Sequence, residues 1–160
     1  MIRDATEQDL RPILEIYNDA ILTTSATFDL EPVSLEARRV WFYDHGEQYS
    51  LVVAEIGGIV LGYCCVSPYA KKAGYSKTVE LSVYVHRNHR NKGIGKSLVS
   101  EIIKRSRKLG YDAIVSGISG SNYGSEILHR KAGFELRGYL KQLGYKFSSW
   151  QDVAFYELIL

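Results

Sequence analysis

Val83-Tyr84-Val85-His86-Arg87-Asn88-His89-Arg90-Asn91-Lys92-Gly93-Ile94-Gly95-Lys96-Ser97 passes from a β-branched and aromatic run, through a basic turn, into an amphipathic pattern. The run suits an extended strand. Ile94, Leu98, Ile102 and Leu109 then recur at helical spacing and predict a helix with one buried stripe. Two glycines let the backbone turn closely under a bound group, and the amides of the first helical turn lack intrahelical partners. Arg90, Lys92 and Lys96 add positive charge. Strand, anion site and helix start therefore follow one another, and a pyrophosphate suits the site. Gly95-Lys96-Ser97 imitates the end of a P-loop, but Arg90 stands where that loop needs glycine. A dinucleotide fingerprint starting at Gly93 would need glycine where Leu98 stands.

Upstream, Thr78–Val85 forms one strand, and Leu51–Ile56 with residues 59–66 forms a hairpin about Gly57-Gly58. Residues 1–4 read as a strand start. Thr6 caps a helix carrying Leu10, Ile13, Leu14, Tyr17 and Ile21 on one face. A second short helix carries Leu35, Val40, Trp41 and Phe42. Downstream come a strand at 112–118, a helix at 121–131 ended by Gly133, and a last strand at 153–160. Residues 139–150 read as a cover over the cleft. This order predicts an α/β fold, a mixed central sheet with helices on both faces, in a single domain spanning 1–160.

With 46% hydrophobic and 24% charged residues, the 160-residue chain has material for one core. Twenty basic against 18 acidic residues, net +2, is too balanced for general nucleic-acid binding. No run reaches the roughly 20 apolar residues of a membrane span, and the start does not resemble a signal peptide. A cytoplasmic protein is expected, with no membrane and no nucleic-acid partner. Cys64 and Cys65 are adjacent, so on a strand they point to opposite faces as buried, reduced thiols. His86 and His89 lack a third ligand at suitable spacing, and no metal is expected.

Arg90-Asn91-Lys92-Gly93-Ile94-Gly95 matches the R-x-x-G-x-G/A signature of the GNAT superfamily of N-acetyltransferases. About thirty residues on, the stretch from Asn122 to Phe134 resembles the family's helix along the pantetheine arm, ending in K-x-G-F. The resemblance narrows to the phosphinothricin, methionine sulfoximine and methionine sulfone acetyltransferase branch. Ile16-Tyr17-Asn18, Phe28 with Glu31-Pro32, the Thr78–Val85 strand, Gly144-Tyr145-Lys146-Phe147 and Trp150-Gln151-Asp152-Val153 carry it.

The resemblance implies a GNAT fold with splayed central strands and acetyl-CoA as acetyl donor, and a small-molecule amine as acceptor. It also implies a homodimer, with Tyr139, Tyr145, Phe147, Trp150 and Phe155 supplying either that surface or core. Backbone groups of Val83, Tyr84 and Val85 would pair with pantetheine, while their side chains are otherwise plain core. Arg90, Asn91, Lys92, Gly93, Ile94, Gly95 and Lys96 would hold the pyrophosphate, and Asn122 and Ser125 the coenzyme arm. Glu80 takes the place of the catalytic base, against a solvent-facing carboxylate with cross-strand contacts only. His129 stands where many members carry a tyrosine acid, against a surface histidine. Phe28, Lys72, Tyr75, Glu80, Leu81 and Ser82 would line the acceptor site, with Lys72 meeting a carboxylate or belonging to a solvated loop. Phe147, where phosphinothricin-type enzymes often have histidine, favours the sulfoximine or sulfone type. The competing readings are acetylation of a protein N-terminus or lysine, a non-catalytic coenzyme-A sensor, and a P-loop nucleotidase.

Overall fold

A computed structural model describes all 160 residues. The elements are β1 (Ile2–Asp4), α1 (Leu10–Thr23), α2 (Leu35–His45), β2 (Leu51–Ile56), β3 (Ile59–Pro68), β4 (Thr78–Val85), α3 (Ile94–Lys108), β5 (Ala113–Ser119), α4 (Tyr123–Lys131), β6 (Glu135–Lys146) and β7 (Ser149–Ile159), with short 3-10 turns at Glu7–Asp9, Ala73–Tyr75 and Arg87–His89. The seven strands form one sheet in the order β1-β2-β3-β4-β5-β7-β6. Every pairing is antiparallel except β4 with β5.

Alternation along the strands gives each face of the sheet its own core. Val52 and Ala54 pack with Leu98, Val99 and Ile102 of α3, whereas Leu51 and Val53 pack with Ile13 and Ile16 of α1. Cys64 and Cys65 divide the same way, both buried and unpaired. Burial pushes the Cys64 thiol well above its usual range and Cys65 to about 12, so neither is a ready nucleophile.

The parallel pairing is short. It joins Thr78 to Ala113, Val79 to Ile114 and Glu80 to Val115, and stops. Beyond Glu80, β4 continues beside β3 to Val85, and β5 continues beside β7 to Ser119. The two central strands therefore diverge from a fork at Glu80, leaving a V-shaped opening in the sheet.

Three details depart from the sequence reading. Leu109 lies past the end of α3 and is 44% exposed, the buried stripe closing instead on Ile103 and Ser106. Val40 is 63% exposed, because α2 turns Arg38 and His45 inward. Residues 139–150 are not a separate cover but the turn end of a β6–β7 hairpin that extends the sheet and reaches the cavity through Leu143.

Candidate active site

The fork leaves β4 with one unpaired edge. Along a strand, alternate residues direct their amide and carbonyl to opposite edges. His86 N–H donates to Leu61 O of β3, so the even-numbered residues face β3. The odd-numbered ones face the opening: Leu81 O accepts from Ser116 Oγ at 3.4 Å and Val85 O from Arg90 Nε at 3.3 Å. Val83, between them, presents its N–H and C=O to the V with no strand opposite. An extended ligand bearing amides would complete this edge as a strand does.

The mouth of the V meets the start of α3. Asn91 (φ 61°) and Gly93 (φ 83°) take the left-handed conformation that turns the chain into the helix. Ser97 N–H makes the first helical bond, to Gly93 O, so the amides of Ile94, Gly95 and Lys96 point out of the helix end. Arg90, Lys92 and Lys96 belong to the same turn, with Arg90 Nε on Val85 O at 3.3 Å and Lys92 Nζ on Asn88 O at 3.4 Å. At Gly95 a Cβ would lie 3.2 Å from Leu128 Cδ2, so glycine permits close packing of α3 on α4. Across the V, Asn122 caps α4, its Oδ1 accepting from Ser125 N–H at 3.2 Å. Its amide NH2 remains to meet a ligand.

Behind the fork lies a cavity of about 390 Å³. Among the residues singled out in the sequence, Phe28, Glu80, Leu81, Ser82, Val83, Tyr84, Asn122, Ser125 and His129 all line it. Glu80 and Ser82 lie on the α1 side of the sheet. The Glu80 carboxylate makes no hydrogen bond or ion pair within the chain and is open to solvent along the cleft. The flanking walls still strip part of its hydration, which raises its pKa above the ordinary carboxylate value. An unpaired carboxylate of that kind suits proton acceptance from an ammonium.

One wall of the cavity comes from residues 25–28 after α1. Ser25 Oγ hydrogen-bonds Ser119 Oγ (3.0 Å) and Ser121 Oγ (2.8 Å). Tyr17 donates its hydroxyl proton to Asp29 and accepts from Thr27 Oγ1 at 3.0 Å. Phe28 lies against the backbone of Gly144 in β6. The sequence reading did not assign Tyr17, Thr27, Ser116 or Ser119 to the site. Tyr17 belonged to a helical core stripe, and Ser and Thr in loops and strands carry no periodic signal.

Two expectations take a different form. Lys72 and Tyr75 lie on the exposed β3–β4 loop, outside the cavity lining of this chain, and Tyr75 packs edge-on to Tyr69 at 5.5 Å. His129 is not a surface residue: it is 1% exposed, with its ring edge-on to Phe134. A carbonyl can only accept, so the 2.7 Å contact of Nδ1 with Ser125 O fixes the proton on Nδ1. Burial lowers the His129 pKa, the imidazole is neutral, and Nε2 is a buried acceptor with no partner. His86 and His89 stack edge-on at 5.4 Å, and no group of three or more His, Cys, Asp or Glu converges anywhere in the chain.

The Acetyltransferase (GNAT) domain profile matches residues 2–155. The L-methionine sulfoximine/L-methionine sulfone acetyltransferase of Pseudomonas aeruginosa is 42% identical over 99% of this chain and 94% of its own length. A phosphinothricin acetyltransferase of Sinorhizobium meliloti, solved in complex with AcCoA, superposes with a TM-score of 0.97 at 38% identity, covering 100% of this chain and 88% of that one. A ribosomal-protein-alanine N-acetyltransferase from Brucella melitensis superposes at 0.98 with 41% identity, covering 100% and 99%.

Proposed function

The chain belongs to the GNAT acetyltransferase family and is an acetyl-CoA-dependent N-acetyltransferase, and we propose that its acceptor is the α-amine of a small amino acid of the methionine sulfoximine, methionine sulfone or phosphinothricin type. The observation that carries this reading is the unpaired Glu80 carboxylate at the fork, beside a cavity of about 390 Å³ walled by residues 25–28.

In this reading Val83 holds the pantetheine arm through the open β4 edge, assisted by Asn122 and Ser125, and the Asn91–Lys96 turn holds the pyrophosphate. Glu80 takes a proton from the acceptor ammonium, directly or through water, and the free nitrogen attacks the thioester carbonyl. The Val83 N–H is placed to stabilise the oxyanion. Neutral His129 has no proton on Nε2, so it protonates the departing sulfur only after first accepting one. Nε2 is enclosed, so a side-chain movement at the cavity wall that His129 lines must first open it. It then takes that proton from the nitrogen of the tetrahedral intermediate and delivers it to sulfur as the C–S bond breaks. Holding amine and thioester together supplies much of the acceleration.

We also infer a homodimer formed through the β6–β7 hairpin, where Tyr145, Phe147 and Trp150 are each more than half exposed. Lys72 and Tyr75 reach the acceptor in this reading only by movement of their loop or from a neighbouring subunit. A cytoplasmic location agrees with the supply of acetyl-CoA and the two reduced thiols.

Thiol release from acetyl-CoA would be followed with methionine sulfoximine, methionine sulfone, phosphinothricin, ordinary amino acids and an alanine-starting peptide. Turnover confined to the amino-acid analogues, and lost in Glu80→Gln while coenzyme binding persists, is the expected result. Turnover of the peptide alone would transfer the chain to protein acetylation. Coenzyme binding without turnover of any amine would make it a sensor.

A further inference from the structure

Lys146 ends β6 and is 4% exposed, while its neighbours Tyr145 and Phe147 are 53% and 57% exposed. Phe147 (φ 53°) and Ser148 (φ 55°) form the two-residue turn into β7, and this tight turn aims Lys146 inward. Its Nζ donates to the carbonyl of Thr27 at 2.9 Å. It forms no ion pair: Asp29 is near enough to favour the charged form, but its carboxylate is taken by the Tyr17 hydroxyl. Burial lowers the lysine pKa.

A buried ammonium with one hydrogen bond is a poor way to stabilise a hairpin, since an apolar side chain of similar length fills the space without the desolvation cost. What the ammonium does hold is specific. The Thr27 carbonyl belongs to the peptide unit joining Thr27 to Phe28, and both residues line the cavity that contains Glu80. Two residues back on the same face of β6, Gly144 receives the Phe28 ring so closely that a Cβ would lie 2.3 Å from it. Thr27 is held from the other side by Tyr17 at 3.0 Å. The hairpin and α1 thus grip one wall of the cavity between them, and Lys146 makes the only side-chain hydrogen bond to that wall from the hairpin.

We propose that Lys146 is a positioning residue for the acceptor: by fixing the Thr27–Phe28 peptide it sets the wall that presses the acceptor toward Glu80, while the coenzyme side of the V does not depend on it. This deepens the acceptor assignment above and rests on it.

Steady-state kinetics of Lys146→Met and Lys146→Arg with methionine sulfone and acetyl-CoA tests the proposal. A hydrogen bond from a charged donor is worth enough to change an affinity by roughly 10- to 100-fold. The acceptor KM of Lys146→Met should rise by that order, with the acetyl-CoA KM within about twofold of wild type. Lys146→Arg, which still donates to a carbonyl, should recover part of the loss. If Lys146→Met does not fold, an intermediate acceptor-only rise in Lys146→Arg supports the proposal instead. Equal rises in both KM values, a fall in kcat alone, or no change overturns it. A wild type that turns over only a peptide amine refutes the amino-acid reading separately, and the KM split is then read on that peptide.

Discussion

Glu80 is a carboxylate that folding makes less acidic. Its raised pKa means that the folded state holds its proton more tightly than the unfolded state, so this residue's contribution to stability falls as pH rises from the ordinary carboxylate value through the folded value. The charged form that the proposed base role needs is therefore the one that the fold tolerates least. Two opposed effects of Glu80→Gln should follow: a higher unfolding temperature at pH 7 to 8 in a thermal melt, and a loss of kcat/KM on the order of 10²- to 10⁴-fold. The acid limb of the wild-type pH–rate profile should lie above the ordinary carboxylate range. His129→Gln should lower kcat with little change in the acetyl-CoA KM, and exogenous imidazole should restore part of the rate to His129→Ala if the ring acts as a proton carrier.

Among the elements outside the fork, the β6–β7 hairpin touches the proposed acceptor pocket through Gly144 against Phe28. Gly144→Ala places a methyl group inside the Phe28 ring, which must swing away. The expected outcome is a raised acceptor KM with unchanged acetyl-CoA KM in initial-rate measurements. On the other face, Leu98 of α3 is fully buried in the larger core, and Leu98→Ala should cost about 2–5 kcal/mol in denaturant unfolding. Helices α1 and α3 and strands β2 to β5 were legible because their apolar positions recur with period 3.6 or form compact runs. Strand β6 was not: it is mostly exposed, and two register shifts, at Leu136/Gly138 and Leu140/Gly144, break the period of two. Of the candidate site, the left-handed turn with its free helix-start amides was legible because glycine and basic residues announce it. The inward aim of Lys146 and Arg38 was not, because a charged side chain in a sequence gives no sign of which way it will point. Arg38 stacks its guanidinium 4.2 Å from both the Tyr17 and Trp41 rings, a burial that hydrophobic patterning does not flag.

For the whole molecule, buried histidines set the response to acid. His45 and His129 both have pKa values lowered by burial from 6.5, so the unfolded state takes up protons first as pH falls below that value. Stability should decline from pH 7 toward the folded-state values, and thermal melts at pH 7 and pH 5 would register it. The exposed aromatic cluster of the hairpin predicts that Trp150→Glu shifts the mass measured by light scattering toward a single chain.

The open edge of β4 has a consequence for the life of the protein as well as for its chemistry. A strand edge without a neighbour is a template for adhesion to other chains, and under the proposed function the coenzyme arm would supply the missing neighbour. Occupancy of that edge would then stabilise the fold as well: at a free concentration 100 times its Kd the acetyl donor would add about 2.7 kcal/mol. Saturating acetyl-CoA should therefore slow digestion of the folded protein by a protease, which limited proteolysis with and without the coenzyme would measure.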